Sequence, residues 1–211
     1  RINREEGGIA GKQIHFIAVE DYGDPQIAAY NVRRLKEACG IELFMGNMGT
    51  RLITSVLPDA DAGKIALLFP WGGSDELRNP QHTMVINGLG YMQSQLEALV
   101  TYVKQVLKKE KTVLFYADSE FSTQLVSQIE PLLAQAQLPA IGTASYNRFT
   151  FDVLRCSEKL VEYDPKVVFC LATSMPTVKL IRHFFRKGLY GTEFVGIDST
   201  AFVKDILQGT L

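Results

Sequence analysis

The chain has 211 residues, of which 46% are hydrophobic and 21% charged, with a formal net charge of -1. That length accommodates one large domain or two small ones around packed cores. The near-neutral balance excludes a basic nucleic-acid binder, no basic run marks a membrane surface, and no apolar segment reaches the ~18 residues of a membrane helix.

Arg1 rather than Met opens the sequence, so its start carries no targeting information. Cys39, Cys156 and Cys170 are odd in number and lack C-x-x-C spacing, which argues against a zinc site or redox pair and favours buried free thiols.

Arg1 to Gly11 reads as the end of an element and a loop. Gln13 to Glu20, with Ile14, Phe16, Ile17 and Val19, is expected as a strand buried on much of both faces. Asp24 as cap and Pro25 at the first helical position open a helix, whose apolar residues run from Ile27 to Cys39 and which Gly40 ends. Ile41–Met45 is the next strand, followed by the turn Gly46–Thr50. Thr50 is expected to cap a helix reaching about Ala62, with Pro58 kinking or loosening its last turns. Ile65–Phe69 is a strand that exits into Pro70-Trp71-Gly72-Gly73-Ser74. Thr83–Ile86 is a short strand, and Asn87–Gly90 breaks the pattern, which places a lobe boundary between 88 and 89.

Beyond it, Leu96, Leu99, Val100, Val103, Val106 and Leu107 form the clearest amphipathic helix. Lys108, Lys109 and Lys111 read as its solvated C-terminal end. Strands follow at 112–116, 140–146, 167–171 and 194–197, with helices between them and a further helix starting near Thr200. This alternation implies an α/β fold: two doubly wound lobes, residues 1–88 and 89–211, with mostly parallel sheets flanked by helices. Neither lobe carries a dinucleotide or nucleotide loop.

The chemistry gathers at strand exits, where open α/β sheets bind ligands. Gly49 lets a ligand approach the backbone, and the helix start at Thr50 suits a carboxylate. Gly72, Gly73 and Ser74 form a second small-residue turn, and Asp118, Glu120, Thr173 and Asp198 stand at exits in the second lobe. Such a set suits a zwitterion: the helix start takes its carboxylate and an acidic side chain its ammonium. Trp71 either packs on the lobe surface or walls a ligand; Phe121 is either a hydrophobic staple or a cleft wall; Asp198 is either a helix cap or an ammonium receptor. His15, His82 and His183 are scattered without a motif, and no serine sits in a G-x-S-x-G elbow, so the sequence reads as non-enzymatic.

Six segments in order carry a resemblance: INREEGGIAG from Ile2, VEDYGDPQIAA from Val19, MGNMGTRLITSVLP from Met45, LLFPWGGSDELRNP from Leu67, TSMPTVKLIRHFFRKGL from Thr173 and FVGIDST from Phe194. Together they resemble the periplasmic solute-binding proteins of ABC transporters, specifically the branched-chain amino acid (Leu/Ile/Val) binding type. The resemblance implies two Rossmann-like lobes of the type I periplasmic binding protein fold, an extracytoplasmic location, a membrane permease as partner, and no cofactor, metal or nucleic acid. It assigns Thr50 to the ligand carboxylate, and Gly72, Gly73 and Ser74 to the second turn. It assigns Phe121 and Thr173 to cleft positions and Asp198 to the ammonium.

Three residues depart from the pattern. Gly73 stands where a hydroxyl residue is usual, Phe121 where Tyr is common, and Trp71 where a small residue is expected. They point away from branched-chain amino acids toward a smaller or aromatic amino acid, an amide or a small carboxylate. The resemblance also implies a longer natural protein, with a strand before Arg1 and part of the second lobe after Leu211. A sensor module of the same fold and a doubly wound enzyme using Asp118, Glu120 and Asp198 are the competing readings.

Overall fold

The computed structural model describes residues 1–208, so the last three residues of the expected second lobe lie outside the description. Two compact units emerge: residues Arg1–Gly72 with Pro80–Gly88, and Gly73–Asn79 with the chain from Leu89 onward. Each is an α/β unit in which every paired strand is parallel to its neighbours.

The first unit begins with the short helix α1 (Ile2–Glu5). Helix α2 (Pro25–Cys39) starts as its sequence dictates: Asp24 accepts from the backbone N–H groups of Gln26 and Ile27, and Gly40 closes it in the left-handed region at φ 66°. Its inward face is Ala28, Ala29, Val32 and Leu35, which packs toward α3 (Thr50–Asp61) with buried Ile53, Val56, Leu57 and Ala60. Pro58 does not stop α3, which continues to Asp61. The sheet has the order β1 (Leu43–Met45), β2 (Ala66–Leu68), β3 (Val85–Ile86). Its register puts Phe44, Leu67 and Val85 on one face and Leu43, Met45 and Ile86 on the other. Leu67 is fully buried, whereas Leu43, Met45 and Ile86 are each at least half exposed.

The strand expected at 13–20 does not form. Asn3 takes over the pairing at its start: its side-chain amide donates to the Ile14 carbonyl (2.6 Å) and its oxygen accepts from the Ile14 N–H (2.8 Å). At the other end Asn31 donates to the Glu20 carbonyl (3.0 Å). Between them Phe16, Ile17 and Val19 are exposed rather than buried, because among the described residues no strand edge pairs with them. His15 therefore lies in an irregular segment.

The second unit holds a four-stranded sheet of order β5-β4-β6-β7, with β4 (Thr112–Ala117), β5 (Ala140–Tyr146), β6 (Val167–Leu171) and β7 (Glu193–Gly196). Helices α4 (Met92–Tyr102) and α5 (Glu120–Gln135) cover one face, packing Leu96, Leu125, Ile129 and Leu133 onto Leu114, Phe169 and Val195. Helices α6 (Leu154–Val161) and α7 (Ser174–Arg186) cover the other, packing Cys156, Leu160, Leu180 and Phe184 onto Val113, Phe115 and Cys170. Burial on both faces is the reason β4 and β6 read as continuous apolar runs. The short helix α8 (Val203–Gln208) follows β7 after a 3-10 turn at Asp198–Thr200.

Two expectations need correction here. Cys39 is exposed, unlike the buried thiols Cys156 and Cys170, because it sits at the outer end of α2. The basic run after α4 is not simply solvated: Lys109 pairs with Glu193 (3.0 Å) and donates to the Gly191 carbonyl, and Lys111 pairs with Asp164 (3.7 Å). These contacts tie the loop entering β4 to the loops entering β6 and β7.

Candidate functional site

In the first unit the exits of β1 and β2 are joined. Trp71 donates its N–H to the Asn47 carbonyl (2.7 Å), and Gly49 donates its N–H to the Trp71 carbonyl (2.9 Å). Gly49 and Trp71 are thus backbone neighbours, and the Trp71 side chain remains half exposed. Gly49, not Thr50, occupies the cap position of α3, with φ 102°. A side chain there is strained by that angle and would sit 3.2 Å from Leu52, so glycine holds the turn and Thr50 becomes the first helical residue. The opening turn of α3 contains no acidic residue and has Arg51, exposed, at its second position. The positive end of the helix and the Arg51 guanidinium therefore act in the same direction on an anion.

The second unit contains the remaining candidates. Gly73 lies under the Phe121 ring: a Cβ added there would fall 2.2 Å from Phe121 Cζ. Phe121, half-buried at the start of α5, packs against the α4–α5 core. The bare glycine and the aromatic ring are one steric pair. Ser74 is buried, and its hydroxyl accepts from the Glu76 N–H (3.4 Å), capping the 3-10 turn Asp75–Arg78. Buried Arg78 holds that turn in place, donating from Nη1 to the Ser74 carbonyl (2.7 Å) and from Nε to the Leu89 carbonyl (3.3 Å). Asp75 accepts from the Met92 N–H (2.9 Å) at the start of α4.

The exits of β6 and β7 are tied together by two serines. Ser199 donates its hydroxyl to the Ala172 carbonyl (2.7 Å), and Ser174 donates its own to the Ser199 carbonyl (3.1 Å). These bonds join the residues flanking Thr173 to Ser199, the residue after Asp198. Thr173 precedes α7 with an exposed side chain that makes no cap hydrogen bond. Asp198 is half-buried and opens the 3-10 turn rather than capping a helix. Its N–H donates to Gln95 Oε1 (3.2 Å), while no hydrogen bond or ion pair engages its carboxylate among the described residues. Sequence spacing could not reveal this contact, since Gln95 lies 103 positions away. Burial pushes the Tyr146 phenol up, and the Thr173 side chain and backbone beside it act in the opposite direction.

Asp118 and Glu120 are exposed, and the side chain that caps α5 is instead Ser119, accepting from the Ser122 N–H (3.1 Å). Among the described residues no cluster of His, Cys, Asp and Glu could hold a metal ion, and no helix is long and apolar enough to cross a membrane. His82 pairs with Asp61 (2.7 Å) in the first unit.

Comparison with known proteins gives a consistent result. The family model described as periplasmic binding protein matches residues 1–209. No curated protein sequence matches the chain. Among solved structures, a substrate-binding periplasmic protein from Ralstonia solanacearum is 21% identical, with 92% of this chain and 54% of that one covered, at a TM-score of 0.79. An ABC transporter solute-binding protein from R. palustris in complex with 4-hydroxybenzoate is 11% identical, with 94% and 55% covered and a TM-score of 0.81. A leucine-binding protein from Thermotoga maritima is 12% identical, with 94% and 56% covered and a TM-score of 0.77. At these identities the likeness is one of fold, and the chain spans about half the length of those structures.

Proposed function

The chain belongs to the periplasmic binding protein family, and from that premise we propose that it is part of an extracytoplasmic solute-binding protein that captures a small amino-acid-like ligand for an ABC-transporter permease. The observation that carries this reading is Asp198: a half-buried carboxylate without a partner among the described residues, next to Ser199, whose hydroxyl donates to the Ala172 carbonyl just before Thr173. A half-buried anion of that kind favours a cation, and an ammonium supplies one. In the first unit, the start of α3, with Gly49, Thr50 and Arg51, favours an anion. Trp71, Gly72, Gly73, Ser74 and Phe121 complete the proposed binding set.

A second reading, an aromatic carboxylate without an amine, is supported by the ring of Phe121 lying on Gly73. Structural neighbours that bind leucine on one side and 4-hydroxybenzoate on the other make both ligand classes reasonable to test.

The test is a thermal-shift screen of the full-length natural protein against amino acids, amides and aromatic or aliphatic carboxylates. A ligand at 100 times its dissociation constant stabilises by about 2.7 kcal/mol. A shift confined to amino acids, lost in Asp198→Ala by about 2 kcal/mol or more of binding energy, supports the ammonium clamp. A shift with carboxylates that lack an amine, unchanged in Asp198→Ala, removes Asp198 from the site and selects the aromatic carboxylate. No shift with any of them counts against solute capture.

A further inference from the structure

The second unit carries a cavity that shares no residue with the candidate site. It lies between the 150–154 segment, the start of α6 and the outer face of α7, and has a volume of about 430 Å3. Its α7 wall is basic. Lys179, Arg182, His183 and Arg186 recur at helical spacing and line one side of it. Lys179 crosses to the other wall, donating from Nζ to the Phe151 carbonyl (3.0 Å). Arg182 and Arg186 are exposed and engage no hydrogen bond or ion pair among the described residues. His183 Nε2 is buried and also lacks a hydrogen-bond partner.

Acidic compensation is small. Asp152 is the one carboxylate lining the cavity, and it already accepts from the Leu154 N–H (3.1 Å). Around His183, Lys187 and Arg186 oppose protonation and Glu158 on α6 favours it, while burial, the largest influence, keeps the imidazole below its ordinary range. Three cations on one helix face repel one another, and two of them are guanidinium forks with no acceptor. An oxyanion relieves both conditions, because guanidinium groups pair with carboxylate and phosphate oxygens in two-pronged geometry. The volume falls in the range of small-molecule sites rather than that of a single ion.

We propose that this cavity binds a small polyvalent oxyanion, of the phosphate or tricarboxylate class, held by Arg182 and Arg186 with Lys179 closing one side. The ligand lies on the outer surface of the second unit, so it acts as a modulator or a docking charge and not as the captured solute.

The experiment is calorimetric titration of the full-length natural protein with inorganic phosphate, with citrate and with acetate, at constant ionic strength and neutral pH. Phosphate and citrate separate the two sources of polyvalent charge, and acetate reports monovalent binding. The expected result is saturable one-site binding of phosphate or citrate that Arg182→Gln and Arg186→Gln each weaken roughly tenfold or more, the loss typical of a charged hydrogen bond. Lys104→Gln, an exposed cation in the segment after α4, should leave it unchanged. Binding that survives both arginine variants places the anion elsewhere and overturns the proposal. So does an equal loss in Lys104→Gln, which reports net charge only, or no saturable binding of either probe.

Discussion

Single side chains account for several features that the sequence presents as anomalies. Gly73 departs from the hydroxyl residue that the family resemblance leads one to expect, and the structure gives it a tertiary role: the Phe121 ring fills the space a side chain would take. Gly73→Ser should therefore destabilise the second unit by about 1–3 kcal/mol through overpacking. Adding Phe121→Ala to Gly73→Ser should cost less than the sum of the two single changes, since the pair shares one space. Urea midpoints of the four proteins measure this, and strict additivity would separate the two residues. A pH argument attaches to Cys170, whose thiol burial pushes up to about 12. The folded state holds that proton above the ordinary thiol range, so its contribution is fully present at neutral pH. It is lost as pH rises from the ordinary thiol range toward about 12. His183 lies on the opposite limb: its folded-state affinity for a proton is lowered, chiefly by burial, so stability falls as pH drops below the ordinary histidine range. Urea midpoints across pH should show both limbs, with the alkaline one reduced in Cys170→Ala and the acid one in His183→Gln.

Elements were legible where the signal is local and illegible where the partner is remote. Asp24, Pro25 and Gly40 bracket α2 as read, because caps and left-handed glycine act within a few residues. Strands β4 and β6 were equally plain, since burial on both faces leaves an unbroken apolar run. The 13–20 segment is also rich in apolar residues, yet hydrophobicity cannot report whether a neighbouring strand exists, and the Asn3 and Asn31 side chains hold its ends instead. Asp198 could not be assigned between cap and receptor because its surroundings come from Gln95 and Ser199, the first far away in sequence. Thr50 was misplaced by one position because Gly49, through its positive φ, takes the cap role without any side-chain oxygen. Pro58 gives a prediction at this scale. It is exposed inside α3, lacks the N–H that would reach the Thr54 carbonyl, and α3 persists past it through other packing. Pro58→Ala restores that donor while loosening the unfolded chain, so a net gain of about 1 kcal/mol is expected in thermal melts. A loss would mean that the proline ring itself contributes packing.

At the scale of the whole molecule, the two units differ in how much apolar surface the described residues bury. The second has four strands with helices and buried side chains on both faces. The first has three short strands, and one of its sheet faces leaves Leu43, Met45 and Ile86 open to solvent. Apolar burial is the main favourable contribution to folding, so the unit that buries less is expected to be the less stable. A single unfolding free energy is then not defined for the chain, because two units of unequal stability depart from two-state behaviour. The sequence supplies a local reporter. Trp71 is the one tryptophan, and it belongs to the first unit, in the turn hydrogen-bonded to Asn47 and Gly49. Trp71 fluorescence should therefore change at a lower urea concentration than far-ultraviolet circular dichroism, which is weighted toward the helices of the second unit. Removing the Asp24 cap should sharpen the difference: Asp24→Ala weakens α2 by about 1 kcal/mol and moves the fluorescence midpoint down, leaving the later dichroism transition where it was. Coincident transitions, or a shift of both by Asp24→Ala, would show the chain unfolding as one cooperative body.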